Sequence, residues 1–259
     1  KRQGMLRPLE TFMVAQDPPT HTRLRSLIHS ALTPHAVTAL RPAITERVDA
    51  LVGAIRNRAD PITGIGRCDI IHDLAYPLPV TIVGVLLGLP PGDHDLFRQW
   101  ANDLSVLWGP TNLPDIEDRV RRCQASVLAL DAYFQDCIAR RRVQPGDDLL
   151  SALLRASDGS SLSTEELTWN CVLLLLAGHE TTTDLIGNGL RALILHPEQW
   201  QMLRADPGLV SNAVEELLRF DPPFQYMQRV AKEDLEIAGT AIARGESVWL
   251  MLGAANRDA

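Results

Sequence analysis

Residues 163–195 carry one uninterrupted helical period, and no other feature limits the fold as strongly. Ser163 and Glu166 make a capping-box pair at its start, leucines run on from there without a proline, and His196-Pro197 ends the pattern. At about 1.5 Å per residue such a helix extends roughly 45–50 Å, enough to cross a whole domain. A chain built on this rod packs other helices along it. The expected fold class is therefore mainly α with a minor antiparallel β-sheet.

Shorter elements flank the rod. In 17–34, Asp17 is placed to cap, Pro18 suits a first turn, and Leu24, Leu27, Ile28 and Ala31 repeat at the helical period before Pro34 stops it. The pattern predicts a helix over 37–58, a glycine-rich loop at 63–67, and an apolar helix over 78–87 closed by Gly88. After the Pro90-Pro91-Gly92 turn, two helices broken at 109–114 fill 93–142. The second ends in Arg140, Arg141 and Arg142, read as a solvated helix end rather than a nucleic-acid site. Another helix spans 207–220, capped by Asp206 and stopped by Asp221-Pro222-Pro223. Short β-type stretches at 235–237 and 247–252, with Gly239 and Gly245 in turns, form a small hairpin. Without a repeat or linker, 1–259 reads as one domain.

Composition narrows the function classes. A formal net charge of -7 and a pI near 5.5 argue against a nucleic-acid partner. The longest apolar run, 171–177, is far short of the roughly 20 residues of a membrane span. Four cysteines with no metal-like spacing fit a reducing compartment, so a cytoplasmic protein is expected. Lys1 is not an initiator methionine and Ala259 follows directly on the hairpin stretch, so both ends are read as cuts.

The middle of the long helix breaks local rules. Ala177, Gly178, His179, Glu180 and the run Thr181-Thr182-Thr183 replace the preceding leucines, where glycine costs about 1 kcal/mol against alanine and a β-branched hydroxyl loosens the ladder. Leu173, Ala177 and Thr181 share one face. A small-residue gap beside a carboxylate and a hydroxyl suits an oxygen-activating pocket, and small residues with threonines equally suit close helix packing. Two further pairs stand at helical spacing. Glu216 and Arg219 lie within reach of each other, with Glu216 on the Leu209 and Phe220 side and so expected to be partly buried. His21 and Arg25, one turn apart, could clamp an anion or form a basic solvated face.

Taken together these segments resemble the cytochromes P-450. LLLLAGHETTT is similar to the family's oxygen-binding helix, VEELLRFDPP to its ExxR helix, DPPTHTRLR to its third helix, and GTAIARGESVWLMLGAANRDA to the hairpin beyond. All four occur in the family's order. The resemblance implies proton delivery by Glu180 and Thr181, with Ala177, Gly178 and Leu173 bordering haem and substrate. It implies haem propionates bound by His21, Arg25 and Arg229, and a buried structural network of Glu216 and Arg219. It further implies haem b, a small organic substrate, and electrons from NAD(P)H through a ferredoxin and ferredoxin reductase, as in soluble bacterial members.

The family's thiolate loop, Phe-x-x-Gly-x-x-x-Cys-x-Gly, is not matched. Cys68 follows Gly64 at the right distance, but Pro61 and Ile70 stand where Phe and Gly belong, so Cys68 is expected to be a buried or semi-buried thiol and no metal ligand is assigned. Cys171 is expected to pack within the long helix, and His179, off the Leu173–Ala177–Thr181 face, to serve the surface or packing. An inactive relative supporting a partner enzyme is the alternative to a monooxygenase.

Overall fold

The computed structural model describes residues 10–104, 106, 114–157 and 162–258. The chain divides into two compact units, Lys1–Glu180 and Thr181–Ala259.

In the first unit, α1 (Thr20–Ala31) buries Leu24 and Ile28. It begins later than the sequence predicts, because Pro18 and Pro19 lack N–H groups and push the preceding residue out of the helical region. Its N-cap is Pro19, with no side-chain cap. The helix predicted over 37–58 is two helices, α2 (Pro34–Ala39) and α3 (Arg41–Arg56). Pro42 explains the break, since it cannot donate to the carbonyl of Thr38.

A π-helical turn, Ile71–Ala75, leads into α4 (Pro77–Leu86). Gly88, at φ +69°, closes α4 as expected: Leu89 N–H reaches back to the Gly84 carbonyl at 2.8 Å. Helices α5 (His94–Leu104) and α6 (Ile116–Val143) pack on each other. Most of the break predicted at 109–114 lies outside the described residues.

Helix α7 (Leu149–Ser157) packs against α1 and α6, and the sequence reading missed it. Its signal is Asp148, whose carboxylate accepts from Ser151 N at 2.8 Å and from Arg141 Nε at 2.6 Å. Helix α8 (Thr164–Leu195) is the long rod, and its first half supplies Leu167, Trp169, Cys171, Val172, Leu173 and Leu175 to the core. The capping box forms in both directions, Glu166 N to Ser163 Oγ at 3.0 Å and Ser163 N to Glu166 Oε2 at 2.9 Å. The rule-breaking stretch at 177–183 stays helical, so its flanking packing outweighs its poor propensity.

The second unit contains the end of α8, then α9 (Pro197–Ala205), which the sequence reading also missed, and α10 (Val210–Phe220). Asp206 caps the 3-10 turn ahead of α10 by accepting from Gly208 N at 2.9 Å. The expected single hairpin is instead two antiparallel pairs. Strand β2 (Leu235–Ile237) pairs with β3 (Thr240–Ile242), with Leu235 opposite Ile242, through a tight turn at Ala238 (φ 49°) and Gly239 (φ 78°). Strand β4 (Ser247–Leu250) pairs with β1 (Met227–Val230), Arg229 facing Val248. Short helix α11 (Leu252–Ala255) follows.

Candidate active site

The middle of α8 separates the small residues by task. Gly178 is a packing position, since a Cβ there would lie 2.7 Å from Val83 Cγ2 of α4. Ala177 is exposed, as is Glu180, and Thr181 is half-buried. Leu173, predicted to border substrate, is 6% exposed and belongs to the apolar core. The shared face of Leu173, Ala177 and Thr181 thus passes from packed core to open surface within one turn.

His179 is 1% exposed, which places it in packing and not at the surface. Its ring meets Tyr76 edge-on, with centroids 4.4 Å apart. Burial pushes the imidazole pKa down to about 4, and a hydrogen bond to the Tyr76 backbone opposes that only in part. The Tyr76 hydroxyl donates to Asn102 Oδ1 at 3.0 Å. Nothing in the local sequence marks Tyr76 as the partner of His179, because the two lie on different elements.

On α1, His21 is half-buried and Arg25 exposed. Arg23, between them, pairs with Glu166 at the start of α8. Among the described residues His21, Arg25 and Arg229 take part in no ion pair; Arg229, on β1, donates to the Gln228 carbonyl at 2.8 Å.

Glu216 and Arg219 form a two-point pair, at 2.6 and 2.7 Å, on α10. The pair is in the open, with side chains 56% and 47% exposed, which corrects the expected burial of Glu216. The physical reason is that Glu216 sits on the wall of an open groove of about 440 Å³ with Leu209, Ala213, Leu217 and Phe220, not beneath a packed layer. Arg219 still does structural work: its Nη1 donates to the Asn256 carbonyl at 2.7 Å, and Arg257 answers by donating to the Phe220 carbonyl at 2.6 Å while lying 5.2 Å from the Phe220 ring centre.

The cysteines divide by burial. Cys68 is exposed, which overturns its expected burial, because the loop at 57–69 has almost no apolar side chain anchored inward. Cys123 and Cys171 are buried, and burial pushes their thiols up to about 11 and about 12, so they stay protonated in the core. Among the described residues no group of three or more His, Cys, Asp or Glu is arranged to hold a metal ion, and no helix is long and apolar enough to cross a membrane.

A family model described as Cytochrome P450 matches residues 3–208. The chain belongs to the cytochrome P450 family. Among P450 relatives, it is 42% identical to a vitamin D(3) 25-hydroxylase of Pseudonocardia autotrophica over 96% of this chain and 58% of that protein. It is 39% identical to 6-deoxyerythronolide B hydroxylase of Saccharopolyspora erythraea over 96% of this chain and 58% of that protein. A crystal structure of P450BioI with a hexadec-9Z-enoic acid-ligated acyl carrier protein superposes with a TM-score of 0.90 at 35% identity, covering all of this chain and 65% of that one. The P450 chain spans about 60% of the length of the curated relatives it matches.

The group this family implies, haem, carries two carboxylates. Within the first unit, His21 and Arg25 are N–H donors one turn apart on α1, a pairing whose chemistry suits a carboxylate, and neither is paired with an acid among the described residues. Ala177, exposed on α8, presents only a methyl group at its position.

Proposed function

We propose that the whole protein is a haem-dependent monooxygenase of the cytoplasm, inserting one oxygen atom of dioxygen into a small organic substrate. The observation that carries this reading is the pairing, in a P450 chain, of exposed Ala177 and Glu180 with half-buried Thr181 on one turn of a continuous helix. Haem b, when bound, supplies the one-electron redox chemistry that cleaves dioxygen.

The residues of this chain do the rest. His21, Arg25 and Arg229 hold the cofactor's carboxylates through N–H donors, an arrangement in which guanidinium gives a planar fork and imidazole a single donor. Glu180, exposed to solvent, passes a proton inward through its carboxyl group, and Thr181 Oγ1 relays it. Ala177 keeps the space beside Thr181 open for the reacting molecules. Glu216 and Arg219 act as a structural tie for α10. The balance of the reaction is one substrate molecule, one dioxygen, two electrons and two protons for one hydroxylated product and one water.

The electrons come from NAD(P)H by way of a ferredoxin and its reductase. The relatives named for hydroxylating vitamin D(3) and 6-deoxyerythronolide B support an organic substrate of modest size. The test is the difference spectrum of the reduced whole protein with carbon monoxide. A Soret band of the thiolate type is expected, and haem binding without that band overturns the assignment.

A further inference from the structure

We infer that the Arg23–Glu166 ion pair is a positioning pair that sets the roll of α1 and so aims His21 and Arg25. The inference rests on the reading of those two residues as carboxylate-binding groups. Helix α1 is seated by Leu24 and Ile28, both buried. Together with half-buried Leu27 and Ala31 they turn one face of α1 inward, but apolar burial is non-directional and leaves the finer roll of the helix about its axis less sharply set. At 100° per residue, His21 and Arg25 flank one side of that buried line and Arg23 projects from the other. A directional contact at Arg23 therefore restrains the rotation.

The contact has the required geometry. Both guanidinium Nη atoms reach the two Glu166 carboxylate oxygens, one short and one at 3.5 Å. Glu166 is itself immobilised: Ser163 N donates to its Oε2 at 2.9 Å, and its backbone carbonyl accepts from Asn170 Nδ2 at 2.8 Å. Asn170 in turn accepts from Met13 N at 3.0 Å. The side chains of the pair are 36% and 19% exposed, so solvent screens the attraction and little global stability depends on it. Its effect is orientation, which cofactor retention senses and unfolding does not.

The experiment uses the whole haem-loaded protein. Arg23→Met keeps the apolar stem, and Glu166→Gln keeps the capping box while removing the charge. Haem transfer to excess apomyoglobin and the propionate bands of the resonance Raman spectrum are read beside the thermal midpoint. Each variant is expected to lose haem about tenfold faster, the low end of effects seen when support around a bound group is removed. The propionate bands should shift, the midpoint should stay within a few degrees, the double variant should be no worse than either single, and Arg23→Lys should recover part of the loss. Unchanged haem loss in both singles overturns the proposal, as does haem loss that follows the midpoint in every variant. His21→Ala and Arg25→Ala are run in parallel. If those speed haem loss while the pair's variants do not, only the positioning pair fails. If they leave haem loss unchanged, the carboxylate-binding reading falls and the proposal with it.

Discussion

His179 shows how far one residue's chemistry is set by what surrounds it. In the sequence it follows Gly178 on a helix and differs little from a surface histidine, yet it is buried against Tyr76 with its pKa lowered to about 4. The sign of the pH effect follows. The unfolded imidazole takes up a proton near its ordinary 6.5 while the folded one does so only near 4, so its contribution is complete above 6.5 and is lost as pH falls from 6.5 toward 4. A span of that size corresponds to about 3 kcal/mol. Denaturant unfolding from pH 7 to 4.5 should show the chain losing stability faster than a His179→Phe variant; parallel curves would rule out a buried neutral imidazole. The same limit explains Leu173, whose shared face with Thr181 was legible while its burial was not. Periodicity says which residues look the same way, but not where a second helix covers them.

At the scale of elements, turn and cap chemistry was readable because it is local. The capping box of Ser163 and Glu166, the Gly88 closure of α4 and the Asp206 cap each depend on residues a few positions apart. Strand pairing was misread because register depends on partners far apart in sequence: β4 pairs with β1, about twenty residues back, rather than with the nearer β2. Helix contact was also hidden, and Gly178 carries a test of it. Gly178→Ala gains about 1 kcal/mol of helix propensity but overpacks Val83 at a cost of about 1–3 kcal/mol. A double-mutant cycle with Val83→Ala, read by urea unfolding, should give a favourable coupling near 1 kcal/mol. Independent effects of the two substitutions would mean that α4 and α8 do not meet through this contact.

For the whole molecule, the two units differ in how much apolar surface they bury. The first holds Leu130, Phe134, Leu150, Leu153, Cys171 and Val172 at or near zero exposure, whereas the second leaves Val210, Val214, Phe224, Tyr226, Trp249 and Met251 in the open. Resistance to local opening follows buried contacts, so amide hydrogens of α6 and the first half of α8 should exchange slowest, and those of α10 and the strands fastest. Uniform protection across both units would contradict this ordering. The helical class, the rod, its cap and the order of the P450 segments follow from residue spacing alone, because periodicity and capping are properties of a few neighbours. Which side of the rod is buried, that Arg23 meets Glu166 and His179 meets Tyr76, and that the Glu216–Arg219 pair stands open, were decided by packing between distant segments. Their contacts join residues tens to more than a hundred positions apart, and no local pattern encodes such a meeting.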